Sequence, residues 1–109
     1  MLVIPIEQTS AWFEFGCELE GVTFTFTFRF NDRDGCWYFD IADASGNALA
    51  RGLKAVTGWP LLSALRTLPG LPPGELVVSD EAGLDEEPTF DSLGRRHLMF
   101  YLSAAEVGA

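Results

Sequence analysis

The sequence predicts an all-β fold: a small antiparallel meander, barrel-like, in a single domain over residues 1–109, with one or two short helical turns. Two observations carry this. Phe24, Phe26, Phe28 and Phe30 alternate with Thr23, Thr25, Thr27 and Arg29, while Phe13, Phe15, Cys17 and Leu19 alternate with Glu14, Glu18 and Glu20. Period-two alternation belongs to a strand with one apolar and one wet face. Glu20-Gly21 separates the two runs, and a two-residue hairpin turn there pairs Leu19 with Val22, Cys17 with Phe24, Phe15 with Phe26 and Phe13 with Phe28. All the apolar side chains then share one face, whereas a one-residue slip would divide them.

The remaining elements follow in order. Leu2–Ile6 is a short apolar segment whose Pro5 suits an edge strand, because proline cannot donate to a ladder. The hairpin strands are Ala11–Leu19 and Val22–Phe30. Asn31-Asp32-Arg33-Asp34-Gly35 is a turn of residues that tolerate left-handed backbone. Cys36–Asp43 is the third strand, Ala44-Ser45-Gly46-Asn47 a turn, and Ala48–Thr57 a fourth strand with a bulge at Gly52. Pro60–Arg66 is read as a helical turn with proline in its first position. Pro69–Gly74 is a proline-rich loop and Glu75–Ser79 a fifth strand. Asp80–Asp91 is an acidic loop, and Thr89 caps a short helical turn through Leu93 that ends at Gly94. His97–Leu102 is the last strand, followed by a frayed tail, Ser103–Ala109.

Composition narrows the function classes. A chain of 109 residues with 48% hydrophobic content is long enough for one core and unlike a disordered segment. No apolar run reaches the roughly 18–20 residues of a membrane helix. The first residues lack the basic start of a signal peptide, so synthesis and retention in a cytoplasm are expected. Sixteen acids against seven bases give a formal charge of −9. Binding to nucleic acid or to an anionic membrane needs clustered Lys and Arg, and only Arg95-Arg96-His97 forms a basic cluster. Cys17 shares parity with the core face, and Cys36 opposes the parity of Trp37, Phe39 and Ile41. A disulfide needs converging Cβ atoms about 4 Å apart, so both thiols are read as free.

No residue set points to catalysis. His97 is the lone histidine; beside two arginines it is a poor base, and it is read as a residue of a surface strand. Three Cys and His residues are too few for a site of four soft ligands. Aligning Gly35 with the glycine of a calcium loop puts Phe30 and Ile41 at ligand positions, which excludes that reading. Asp80, Glu81, Asp85, Glu86, Glu87 and Asp91 are read as a solvated acidic face, the alternatives being a weak cation site, a basic partner or nucleic-acid mimicry. Trp37 belongs to the core by parity. Trp12 and Tyr38 fall on the wet face, either as interface anchors or covered by a loop or by the Trp59 segment. The candidate interface residues are Trp12, Tyr38, Trp59, Arg95 and Arg96; there are no candidate catalytic, cofactor-binding or metal residues.

An ordered set of turn and core residues then resembles a known family: Phe30-Asn31-x-Arg33-x-Gly35-x-Trp37-x-x-Asp40, Gly46, Gly52, Leu61-Leu62, Pro73-Gly74-x-Leu76-Val77-Val78 and Pro88-Thr89-Phe90-x-x-Leu93-Gly94. From about Ile4 to Leu102 the chain is similar to the baseplate plug family of contractile-tailed phages, typified by the cyanophage plug protein. The resemblance implies a compact β-rich virion protein of the tail baseplate, made in the host cytoplasm. Such a protein would be non-enzymatic and cofactor-free, and would plug or line the central hub. Its partners would be other tail and baseplate hub proteins, with a homo-oligomer as one arrangement; neither nucleic acid nor membrane is implied. Two other readings stand beside this one: a small acidic binding module, an inhibitor or nucleic-acid mimic acting on a host protein, and an enzyme accessory or small hydrolase.

Overall fold

A computed structural model describes residues 1–7, 10–65 and 68–107, with the side chain of residue 64 left aside. The hairpin forms in the register the alternation requires. Strands β2 (Trp12–Leu19) and β3 (Val22–Asn31) pair Leu19 with Val22, Cys17 with Phe24, Phe15 with Phe26 and Phe13 with Phe28. Glu20 and Gly21 both take positive φ, 51° and 82°, as the tight two-residue hairpin turn requires. Phe24, Phe26 and Phe28 are buried. Val22 has the core parity but is 53% exposed, although Leu19 directly opposite it is buried.

Strands β4 (Cys36–Asp43) and β5 (Ala48–Lys54) complete a four-stranded meander in the order β2-β3-β4-β5. The expected bulge is present. Phe39 pairs with Leu53 and Ile41 with Ala50, so β5 carries an extra residue between them, with Gly52 at φ 68°. The Asp40 carboxylate accepts the Gly52 N–H at 2.8 Å and holds the bulge in place. The fourth strand stops at Lys54, and Thr57 makes only an isolated parallel bridge to Val78.

The remaining strands form a second sheet, ordered β1-β7-β6, from β1 (Leu2–Val3), β6 (Glu75–Asp80) and β7 (His97–Leu102). β1 is an edge strand, but it spans only Leu2–Val3 of the expected Leu2–Ile6 and ends before Pro5. The two sheets do not close into a barrel. They share one core, in which Phe13, Phe26, Phe28, Trp37, Phe39 and Ile41 of the first sheet join Leu76, Val78, Met99 and Tyr101 of the second. Phe13, Phe28 and Phe39 stack across three strands at ring separations of 5.3 Å each. Gly74 marks a close approach between segments: a Cβ there would lie 1.9 Å from the Leu102 carbonyl oxygen and 2.6 Å from the Tyr101 hydroxyl.

Three local expectations need correction. The first helical turn is a 3₁₀ turn over Ser63–Leu65 that starts beyond Pro60, and Arg66 lies outside the described residues. Its place is fixed by Glu75, whose carboxylate accepts the Leu62 N–H at 2.5 Å and the Ser63 hydroxyl at 2.7 Å. The second, Thr89–Leu93, is a non-helical turn in which the side-chain bond runs the other way from the expected cap: Ser92 Oγ accepts the Thr89 N–H at 2.7 Å. The tail holds a short helix, α1 (Ala104–Val107). Ser103-x-x-Glu106 is a capping box: Glu106 accepts the Ser103 N–H at 2.9 Å and Ser103 Oγ accepts the Glu106 N–H at 3.3 Å. The terminal ammonium of Met1 sits 2.6 Å from Glu106 and, with the Ser103 N–H, lowers its pKa to about 2. Residues 108 and 109 lie outside the described set.

Truncating the centre of the aromatic face should destabilise the protein strongly. Phe26→Ala is expected to cost about 3–5 kcal/mol, the usual range for a buried phenylalanine, read as a shift of the urea midpoint. A cost below about 1 kcal/mol would show that this face does not carry the core. Both cysteines are free, Cys17 buried and Cys36 half-buried, and burial raises the Cys17 pKa. Iodoacetamide should therefore label Cys36 in native protein and Cys17 only after unfolding, as counted by intact mass. Equal native labelling would contradict the assigned faces.

Candidate interaction site

The outer face of the four-stranded sheet follows directly from the register. Trp12 pairs with Arg29, Arg29 with Tyr38 and Tyr38 with Lys54, so these four residues form one row across all four strands. Trp12 is 57% exposed, and Arg29 and Tyr38 are half-buried in the row. Neighbouring strands lie about 4.8 Å apart, which places Tyr38 about 10 Å from Trp12 with the Arg29 stem between them. Arg29 is held by a two-pronged ion pair to Asp40, at 2.6 and 3.1 Å. The pair lowers the Asp40 pKa and raises that of Arg29. The Tyr38 hydroxyl donates to the Asp34 carboxylate, which lowers the Asp34 pKa and raises that of Tyr38. Two side chains of the row are thus oriented before any partner arrives. Beside the row, Arg29, Phe30, Asn31, Asp32, Arg33 and Tyr38 line an open depression of about 470 Å³.

Trp59 is 66% exposed and does not join this row. It lies on the segment that crosses the edge of β6, where Gly58 N–H donates to the Val78 carbonyl and Leu61 N–H to that of Leu76. It covers neither Trp12 nor Tyr38 well enough to bury them. Arg95 is exposed.

The basic cluster expected from Arg95-Arg96-His97 is not one surface. Arg96 turns onto Asp80, donating through Nε at 2.8 Å and through an Nη at 2.8 Å, and reaches Glu86 at 2.5 Å. His97 is fully buried, which corrects its reading as a surface residue. Its Nδ1 lies 2.8 Å from Ser92 Oγ and its Nε2 2.7 Å from the Glu86 carbonyl oxygen. Asp80 is likewise no part of a solvated acidic face: its side chain is enclosed and accepts the Ala82 and Glu86 N–H groups at 2.9 and 3.1 Å. The Arg96 contact, helped by those two N–H groups, lowers the Asp80 pKa and raises that of Arg96. The 80–97 segment is therefore tied down from inside. Its far end is fixed by Trp37, whose Nε1–H donates to the Thr89 carbonyl at 2.9 Å and whose ring stacks on Phe90.

Ser92 and His97 are a juxtaposition that spacing alone did not reveal. They could resemble a nucleophile and its base, but both rings of contacts are internal. His97 is fully enclosed and Ser92 nearly so, and Asp80 stands 4.0 Å from His97 Nε2, beyond hydrogen-bond reach. A substrate has no open side from which to approach, so the pair acts as a strut. Among the described residues, no group of three or more His, Cys, Asp and Glu side chains is placed to hold a metal ion.

The Asp80 carboxylate has a lower pKa folded than unfolded. Its stabilisation is therefore complete above the ordinary Asp value, about 3.9, and is lost as pH falls below it. Asp80→Asn should lower the urea midpoint at pH 7, and the gap from the parent protein should narrow as pH drops from about 4 towards 2. A gap that stayed constant over that range would show that the ionised carboxylate contributes nothing.

Compared with known families, residues 1–104 match the family described as cyanophage baseplate Pam3 plug gp18. No curated protein matches the chain significantly. The matched stretch runs from the edge strand β1 through the hairpin, the bulge, the Trp37–Thr89 contact and the last strand, so it takes in both sheets and the whole outer row. On that match the chain belongs to the cyanophage baseplate plug family, whose members are structural parts of the phage baseplate rather than an enzyme class.

Proposed function

We propose that this protein plugs or lines the central hub of the tail baseplate through protein–protein contacts, with the Trp12–Arg29–Tyr38–Lys54 row as a principal contact surface. The carrying observation is that row: an exposed tryptophan, an oriented arginine and an oriented tyrosine side by side on one sheet face. Trp, Tyr and Arg are the residue types that dominate binding hot spots, because they bury large areas at small entropic cost. Partners are other baseplate hub proteins, with Trp59 and Arg95 as separate secondary contacts. Arg96 serves the fold first, through Asp80. The chain is made in the host cytoplasm and acts as a single folding unit in the virion. Its net charge of −9 suits a channel through which a polyanion passes without being retained.

An acidic inhibitor or nucleic-acid mimic is the alternative, and the acidic loop would be its instrument. The loop is poorly suited to it. Asp80 and Glu86 are paired with Arg96, and Glu87 accepts the Thr57 N–H at 3.2 Å, so much of its charge is spent on holding the chain together.

Trp12→Ser should leave the circular dichroism spectrum of the isolated protein unchanged, because Trp12 lies outside the core. It should reduce incorporation into assembled baseplates, since loss of a central aromatic anchor typically costs about 2 kcal/mol or more of binding. Quantitative mass spectrometry of purified tails measures the occupancy. Full occupancy with an unchanged fold would remove Trp12 from the interface.

A further inference from the structure

The sheet edges differ in how they are closed. β6 is covered by the 57–61 segment, which bonds the Val78 and Leu76 carbonyls. β5 is broken by the Gly52 bulge. Leu49 at its start lies against the 68–71 loop, where a Cβ on Gly70 would stand 3.0 Å from a Leu49 methyl. β1 is two residues long and runs into Pro5. These are the usual protections of an edge. β2 has none of them over Phe13–Leu19 among the described residues. The Phe30 N–H donates to the Ala11 carbonyl at 2.8 Å, which sets the bonding phase of the hairpin: odd-numbered residues of β2 face β3 and even-numbered ones face outward. The N–H groups of Glu14, Gly16 and Glu18 therefore point away from the sheet, and no hydrogen bond from the described residues meets them. Only the Cys17 thiol, 3.9 Å away, approaches the Glu18 carbonyl.

The chemistry beside this edge is one-sided. Glu14 and Glu18 flank Gly16 on the outer face, Glu20 follows at the turn, and β2 holds no base. On the inner side, Phe15 is only half-buried and, with Pro5, Glu7, Phe13 and Glu14, lines a groove of about 250 Å³. We propose that β2 is a docking edge for an extended segment of a partner protein that adds a fifth strand, with Lys or Arg at alternate positions opposite Glu14 and Glu18 and apolar side chains entering the groove at Phe15. A second copy does not fit: two β2 strands pairing about Gly16 would set Glu14 against Glu18, and like charges directly opposite are destabilising. The partner's basic alternation is thus chosen by charge, and its backbone by the three outward N–H groups. The inference rests on the assembly reading above and supplies the chemistry of one partner.

The probe is a terminally blocked octapeptide alternating Lys and Val, with a Glu/Val octapeptide as its counterpart, each titrated into the full-length protein. The Lys/Val peptide should bind one to one and slow hydrogen exchange at the Glu14, Gly16 and Glu18 amides, and its affinity should fall with added salt. Gly16→Pro removes the central outward N–H at an edge position and should weaken binding about tenfold. Because proline also strains the strand, Glu14→Lys with Glu18→Lys provides a second variant, which should reverse the preference towards the Glu/Val peptide. Binding without protection of those amides, or unchanged preference in the double variant, would overturn the proposal. So would concentration-dependent dimerisation of the free protein that Gly16→Pro abolishes. Trp12→Ser should bind the peptide normally, so a failure here and a failure of the outer-row reading remain distinguishable.

Discussion

The two-residue turn at Glu20-Gly21 decides what every strand of the larger sheet presents to each side. With both residues at positive φ, Leu19 and Val22 are held opposite each other, and pairing then runs without a shift to Trp12 and Arg29. Moving that register by one residue would put Thr25 and Thr27 into the core and expel Phe26 and Phe28. β4 inherits the same parity through β3; the register slips only against β5, once at Gly52, where Asp40 clamps it, and once between the Ile41–Ala50 and Ala42–Ala48 pairs. The turn is also tied to the second sheet. The Glu20 carboxylate accepts from the Tyr101 hydroxyl, and the same hydroxyl accepts the Gly74 N–H at 2.7 Å. One tyrosine thus joins the hairpin tip to both long strands of the other sheet.

Local periodicity made most of this readable. The hairpin register, the Cys36–Asp43 and His97–Leu102 strands, the Gly52 bulge and the outward placement of Trp12 all follow from alternation and turn chemistry, which are properties of neighbouring residues. What alternation cannot say is what lies across from a strand. His97 heads a strand beside two arginines, yet the 80–94 segment folds back over it, because Asp80, Arg96, Ser92 and the Glu86 backbone satisfy one another there. That arrangement depends on contacts between residues up to 16 positions apart, and no local pattern announces it. The tail helix is different: Ser103-x-x-Glu106 is a readable capping signal, outweighed in the sequence by the small residues around it.

The family motif can now be read as mechanics. Gly35 at φ 68° closes the turn that begins at Asn31. Trp37 reaches the Thr89 carbonyl and stacks on Phe90, so the Pro88-Thr89-Phe90 stretch is where the acidic loop is pinned to the larger sheet. A Cβ at Gly94 would come within 2.7 Å of the Ile6 carbonyl oxygen, and one at Gly74 would meet Leu102 still more closely. These residues keep two sheets and one long loop in fixed relation. That is the pattern expected of a component whose task is to hold a shape within an assembly.

A fixed shape matters for binding because an interface loses affinity to every side chain it must immobilise. The outer row is backed by the Phe13–Phe28–Phe39 stack on the opposite side of the same strands, one residue away in register. Aromatic rings packed in a core resist displacement, so the backbone carrying Trp12, Arg29 and Tyr38 has little room to adjust. Arg29 and Tyr38 are further restrained by Asp40 and Asp34. Much of the ordering cost of that surface is therefore met during folding. The aromatic alternation first visible in the hairpin both builds the core and stiffens the outer face of the sheet, the contact surface proposed above.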